Sequence, residues 1–137
     1  MSLRVGIDLV ATACVEESLR AAYGDRYLER VYTKREADDC RTAAGIDPER
    51  LAARFAAKEA TLKVLPVGNE GLALTTIEVR REPSGRVEIE LSGRAAELAT
   101  AAGVADLALS LTHEGGFAAA IVVAVLQDEP SGTHHGG

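Results

Sequence analysis

The chain has 137 residues, with 21 acidic against 15 basic side chains and a formal net charge of −6. That length is one domain with enough interior for a hydrophobic core. The charge argues against general binding of nucleic acid or an anionic membrane, whose phosphates repel an acidic surface.

Hydrophobic residues make up 47% but aromatics only 4%, with no Trp, so the core must come from Ala, Val, Leu and Ile. Cys14 and Cys40 have no metal-ligand spacing, which predicts free thiols in a reducing compartment. No charged leader with a long apolar stretch opens the sequence, and no apolar run reaches the roughly 20 residues of a spanning helix. The expected location is the cytoplasm.

Residues 4–10 read as a strand, with Val5, Ile7 and Leu9 on one face and Gly6, Asp8 and Val10 on the other. A helix is expected over residues 12–23, capped by Thr12 and broken at Gly24-Asp25. A short helical piece then carries Tyr27, Leu28 and Val31. Thr33 and Glu36 form a capping box for a helix expected to reach Ala44, where Gly45 stops it.

Asp47-Pro48-Glu49 is the clearest start signal: an N-cap, a Pro at the first helical position and an acid in the first turn. This helix is expected to run to Leu65, roughly 27 Å, with Pro66 ending it before a Gly-rich loop at 67–71. Residues 75–81 and 86–91 read as strands joined by the turn Glu82-Pro83-Ser84-Gly85. A helix over 93–102 ends at Gly103. Leu107, Leu109 and Leu111 alternate along a strand ending at His113, and Glu114-Gly115-Gly116 turns the chain. Residues 117–126 are almost unbroken apolar, as in a strand buried on both faces. These elements predict one α+β domain over residues 1–127 and a disordered tail over 128–137, in which His134 and His135 are given no role.

Three features carry potential chemistry. Asp8 interrupts an apolar strand, where a carboxylate is costly unless paired or bound to a metal; a strand-end cap is the plainer alternative. The long helix carries Arg54, Lys58, Glu59 and Lys63 beside a core stripe of Leu51, Phe55 and Leu62. The four-residue spacings make either a phosphate-holding stripe or a solvated face with one Glu–Lys pair. Backbone N–H groups of the loop with Gly68 and Gly71 can also cradle phosphate, although it lacks the context and ending of a P-loop. His113, followed by Glu114, reads as a base, a phosphate contact or a structural strand-end residue. There is no Ser-His-Asp or Cys-His order and no dinucleotide fingerprint.

Gly6-Ile7-Asp8-Leu9-Val10, Leu51-Ala52-Ala53-Arg54-Phe55-Ala56-Ala57-Lys58-Glu59-Ala60 and Ser110-Leu111-Thr112-His113 occur in that order. In order, spacing and chain length this pattern resembles the holo-[acyl-carrier-protein] synthase family of small 4′-phosphopantetheinyl transferases, over about residues 3–126. The resemblance implies that family's fold, a mainly antiparallel sheet packed with one long and several shorter helices. It implies Asp8 and Glu59 as ligands of Mg²⁺, an ion that takes few protein carboxylates and substrate phosphates. Arg54, Lys58, Lys63 and His113 are then expected around the phosphates of coenzyme A, with Gly68 and Gly71 in the adjoining loop.

The implied reaction is attack of a carrier-protein serine on the pantetheine-side phosphate, with adenosine 3′,5′-bisphosphate leaving. Positioning and charge neutralisation dominate such transfers. Lys63 and the metal are implied to neutralise developing charge. Either Glu59, or His113 with Glu114, is implied to take the serine proton. The resemblance also implies a homotrimer with sites between subunits, an apo acyl or peptidyl carrier protein as partner, and neither nucleic acid nor membrane.

The first helix departs from the family's basic docking helix. It carries Cys14, Glu16 and Glu17, with Arg20 its one basic residue. A less acidic or differently docked carrier, from a specialised polyketide or peptide pathway, is therefore expected; a docking surface on another helix, such as one using Arg26, Arg30, Lys34 and Arg35, would argue against it. The competing class is a non-catalytic coenzyme A-binding regulatory or assembly protein, which has no need of both carboxylates. A purely structural trimerising domain leaves the basic stripe unexplained.

Overall fold

The computed structural model describes residues 1–128, so all but the first residue of the expected tail lies outside the described residues. Strand β1, Ser2–Ala11, pairs antiparallel with β7, Phe117–Leu126, which in turn pairs with β6, Val104–Glu114. Gly115 and Gly116 join β6 to β7 with φ of 60° and 84°. Two successive left-handed residues suit a tight hairpin, and glycine adopts them without a Cβ penalty.

One face of this sheet receives helix α4, Pro48–Leu62. The contact is made of small residues. Ala118, Ala120, Val122 and Ala124 of β7 are buried, as are Ala56, Ala57 and Ala60 of α4. Gly6 lets the two backbones meet: a Cβ there would lie 2.1 Å from the Ala60 carbonyl oxygen. Gly6, Asp8 and Val10 therefore face the helix, while Leu3, Val5, Ile7 and Leu9 face outward at 59–64% exposure. Ile121 and Phe117 of β7 are also exposed on that side. Among the described residues of one chain nothing covers this second face, so the expected burial of β7 is met on the helix side alone.

Helix α1 spans Thr12–Arg20, with Ala11 rather than Thr12 at the cap position. Thr12 N–H instead donates to the Gly116 carbonyl at 2.9 Å, tying the helix start to the β6–β7 turn. Gly24 does more than break a helix, since it opens α2, Gly24–Val31, against the Leu19 carbonyl.

The Thr33–Glu36 capping box is present and starts α3, Lys34–Asp39. That helix stops short of Ala44. Thr42 Oγ1 accepts from Ala44 N–H and donates to the Gly45 carbonyl, so side-chain bonds replace the helical ladder. The segment becomes a small hairpin of β2, Arg41–Thr42, and β3, Gly45–Ile46.

Helix α4 starts as expected, with Asp47 Oδ1 accepting from Glu49 N–H at 2.9 Å. It ends at Leu62, making it about 22 Å long. A 3₁₀ turn, Leu74–Thr76, precedes β4, Ile77–Arg81. β4 pairs with β5, Val87–Leu91, across the Glu82–Gly85 turn. Helix α5, Gly93–Ala101, completes the α+β fold.

The Gly6 contact gives a direct test. Gly6→Ala is expected to lower stability by about 1–3 kcal/mol, because helix or sheet backbone must shift to admit one methyl group. Urea unfolding measures this, and an unchanged midpoint would mean that α4 is free to move off the sheet.

Candidate functional site

Helix α4 carries the candidate cations, but it distributes them among three environments. Lys58 is wholly buried. Its Nζ lies 2.7 Å from Glu36 Oε1 and donates to the carbonyls of Leu74 and Ile77. With three N–H groups so engaged, Lys58 has none left for a ligand. Glu36 is equally buried, accepting from Thr33 N–H and, through Oε2, from Val79 N–H at 2.7 Å. Burial pushes the Lys58 pKa down, and the Glu36 charge opposes that shift. Within this chain Lys58 ties α4 to α3 and β4 rather than facing an open cavity. The sequence showed Glu36 only as half of a capping box.

A second environment lies toward the C-terminal end of α4. Asp8, on the helix-facing side of β1, has Oδ1 3.6 Å from Lys63 Nζ. Lys63 also donates to the Ile7 carbonyl at 2.6 Å. Glu59 stands one turn before Lys63, and its carboxyl pKa is raised, by burial first and by the Asp8 charge second, with Lys63 opposing. Two carboxylates that repel across a partly open gap form a hard-oxygen pair that a divalent cation relieves. Among the described residues no cluster of three His, Cys, Asp or Glu side chains could hold a metal. A two-carboxylate set fits Mg²⁺, which keeps its other positions for water or substrate phosphate. It does not resemble a closed structural zinc site.

A third environment is a cavity of about 910 Å³ at the other end of α4. Arg50 and Arg54 enter it from the helix, Arg81 and Arg86 from β4 and the turn before β5, and His113 from β6. Arg54 is 2% exposed. One nitrogen, Nη1, donates to the Arg50 carbonyl at 3.3 Å, but Nε and Nη2 have no partner. Leaving a buried donor unpaired costs about 1–3 kcal/mol, more for a charged group. Such an arginine is poised for an anion.

His113 Nδ1 lies 3.1 Å from Glu49 Oε1. Arg50, Arg81, Arg86 and Glu49 were not singled out in the sequence. Only the two arginines flanking the Glu82–Gly85 turn gave a signal, and it required knowing that this hairpin folds toward β6.

The predicted site therefore divides. Asp8, Glu59 and Lys63 do not line the arginine cavity. Glu49, at the cavity, and Glu59 are ten positions apart on one helix, about 15 Å along its axis. Gly68 and Gly71 follow the Lys63 end of α4, and Gly71 adopts a φ of 74°. Glu114 is exposed, and strand alternation puts it on the sheet face opposite His113. Among the described residues the acid beside His113 is Glu49, not Glu114.

The α+β scaffold thus carries an arginine-bearing cavity at one end of α4 and a carboxylate–lysine cluster toward the other. Residues 4–122 match the 4′-phosphopantetheinyl transferase superfamily, and the chain belongs to it. Among its relatives, the holo-[acyl-carrier-protein] synthase of Chloroflexus aurantiacus is 43% identical, aligned over 87% of this chain and 95% of that protein. The Koribacter versatilis protein of the same name is 40% identical over 90% and 98%. The ACPS–CoA complex from Chronobacterium ammoniagenes superposes with a TM-score of 0.80 at 32% identity, covering 93% of this chain and all of that one. The Helicobacter pylori holo-[acyl-carrier-protein] synthase in complex with coenzyme A gives 0.75 at 29%, over 89% of this chain and all of its own.

The assignment of Lys58 to the framework has a measurable consequence. Lys58→Met leaves Glu36 buried and unpaired, so stability is expected to fall by about 3–5 kcal/mol. Calorimetry or urea unfolding reads this loss. A stable Lys58→Met protein with weakened ligand binding would instead return Lys58 to the phosphate site.

Proposed function

We propose that this chain transfers the 4′-phosphopantetheine arm of coenzyme A to a serine hydroxyl of an apo carrier protein. The observation that carries the reading is the buried, half-unpartnered Arg54 in a four-arginine cavity, together with a separate Asp8–Glu59–Lys63 cluster. Anion binding explains the first, and charge neutralisation at a reacting phosphate suits the second. Superfamily membership supplies the reaction class.

In this reading Arg54, Arg50 and His113 hold phosphate oxygens of coenzyme A. Asp8 and Glu59 hold Mg²⁺, which supplies charge neutralisation and substrate orientation at the pyrophosphate when bound. Lys63 reaches the same region as a point charge and offsets charge that develops on phosphate oxygens. The carrier serine Oγ forms the new bond to the pantetheine-side phosphorus. The bond from that phosphorus to the bridging oxygen breaks, and adenosine 3′,5′-bisphosphate leaves. Glu59 or His113 takes the serine proton.

The reading also requires assembly. Arg54 and Glu59 enter separate environments on α4, and among the described residues nothing covers the sheet face of Leu3, Val5, Ile7 and Leu9. A cyclic homotrimer in the cytoplasm covers that face and brings the arginine cavity of one subunit to the carboxylates of the next. Carrier docking departs from the simple case of a basic first helix. Glu16 on α1 pairs with Arg20, whereas Arg26, Arg30 and Arg35 are exposed and form no ion pair among the described residues. A specialised-pathway carrier is the favoured partner, and docking of an acidic carrier on this basic α2–α3 region would remove the ground for it.

Two experiments test the proposal. Mass spectrometry of apo carriers incubated with coenzyme A and Mg²⁺ should show a pantetheine-phosphate adduct, fastest on a specialised carrier. Glu59→Gln should abolish it while leaving the fold intact. Coenzyme A binding without an adduct on any carrier would favour a non-catalytic binding protein. Glu59→Gln and Arg54→Gln, each inactive alone, should regain about a quarter of wild-type activity per site after subunit exchange at equal ratio, because one interface in four combines two intact halves. No recovery after verified exchange would put the whole site within one chain.

A further inference from the structure

Four acids, Asp47, Glu49, Glu88 and Asp106, line the cavity with its arginines, and Glu49 is the one set against His113. Glu49 is the second residue of α4 and lines the cavity among Arg50, Arg54, Arg81 and Arg86. It is not consumed by those arginines. Arg50, its neighbour, pairs with Asp47 Oδ2 at 3.5 Å, and Asp47 Oδ1 accepts the Glu49 N–H at 2.9 Å. The Glu49 carboxylate is left facing His113, with 3.1 Å between Oε1 and Nδ1. Among the described residues it is the one acid within ion-pair distance of that imidazole.

We propose that Glu49 is a positioning residue, which fixes the ring and tautomer of His113 and so presents Nε2 to the ligand. This rests on the reading of the cavity as the coenzyme A phosphate site. His113 stands at the end of a strand, next to the Gly115-Gly116 turn, and is 57% exposed. Little packing holds such a ring in one orientation. A carboxylate accepting from Nδ1–H holds it, because a neutral imidazole carries only one N–H. Nε2 is then the free nitrogen. It accepts a proton in the neutral state, and donates to a phosphate oxygen in the charged state. Either role of His113 uses the same presentation.

The pair contributes little to folding. Both side chains are about half exposed, and solvent screens most of the attraction in such a pair. A first-turn acid also suits the positive end of the helix, so a purely structural role for Glu49 predicts a small change in melting temperature and nothing else. The positioning role predicts changes at His113 itself.

Imidazole ¹⁵N spectra, with His113 assigned through H113N, should show the Nδ1–H tautomer of neutral His113 in the wild type. In Glu49→Ala the Nε2–H tautomer should predominate. In parallel, Glu49→Ala should lower kcat/KM for coenzyme A about tenfold, as loss of a residue orienting a functional histidine commonly does. Glu49→Gln, whose amide oxygen still accepts, should lose less. Added to His113→Ala, Glu49→Ala should cost nothing further, because its effect passes through the missing ring. An unchanged tautomer in Glu49→Ala would overturn the proposal, as would independent, multiplying losses in the double variant. Full activity of His113→Ala would overturn the reading of His113 on which the proposal rests, whatever the spectra show.

Discussion

The close seating of α4 on the sheet positions everything else in the molecule. Gly6 has no side chain, and the facing surfaces are almost entirely alanine and valine. Backbone can therefore approach backbone. That approach brings Asp8 beside Lys63 and within the field of Glu59. It also brings the first turn of α4 under the end of β6, where Glu49 meets His113. A bulkier interface would push the helix outward and separate both pairs at once. The scarcity of aromatics is thus part of how the site is made.

A second constraint fixes the helix along its length. The buried Lys58–Glu36 pair joins α4 to α3 and, through Val79 N–H and the Ile77 carbonyl, to β4. Buried ion pairs are weak evidence of stability, since desolvation offsets much of their attraction. Here every donor of Lys58 has an acceptor, and both Glu36 oxygens are used. The network sets the register between the helix and the β4–β5 hairpin. That hairpin carries Arg81 and Arg86 to the cavity. An ionic contact far from any ligand consequently determines where two of the four arginines stand.

Much of this was legible in the sequence. The Thr33–Glu36 and Asp47-Pro48 signals located α3 and α4, and alternation located β1, β6 and the faces of Asp8 and His113. The three motif segments pointed to the family that the comparisons then showed. Other features were hidden for definite reasons. Arg54 and Lys58 are one turn apart and look equivalent on a helical wheel. Only tertiary packing shows that one ends in a cavity and the other at Glu36. The charge of Lys58 suggested solvent or ligand, but its four-carbon stem can be buried once carbonyls receive its head group. Glu114 was tied to His113 by adjacency, although neighbours on a strand face opposite ways. Glu49 was visible as a helix-start acid, and nothing local related it to a residue 64 positions away.

The outward face of β1 has a consequence for the life of the chain before it reaches its working form. Among the described residues β1 has β7 on one side and no strand on the other, and its outer side chains are four large aliphatic residues. A newly made chain therefore displays both an unpaired strand edge and a greasy surface, the combination that invites indiscriminate association. In the proposed trimer a second copy covers this surface, and escape from the hazard then depends on how soon the chain meets one. Synthesis rate and local concentration thus govern the yield of usable protein, through a surface that takes no part in the chemistry.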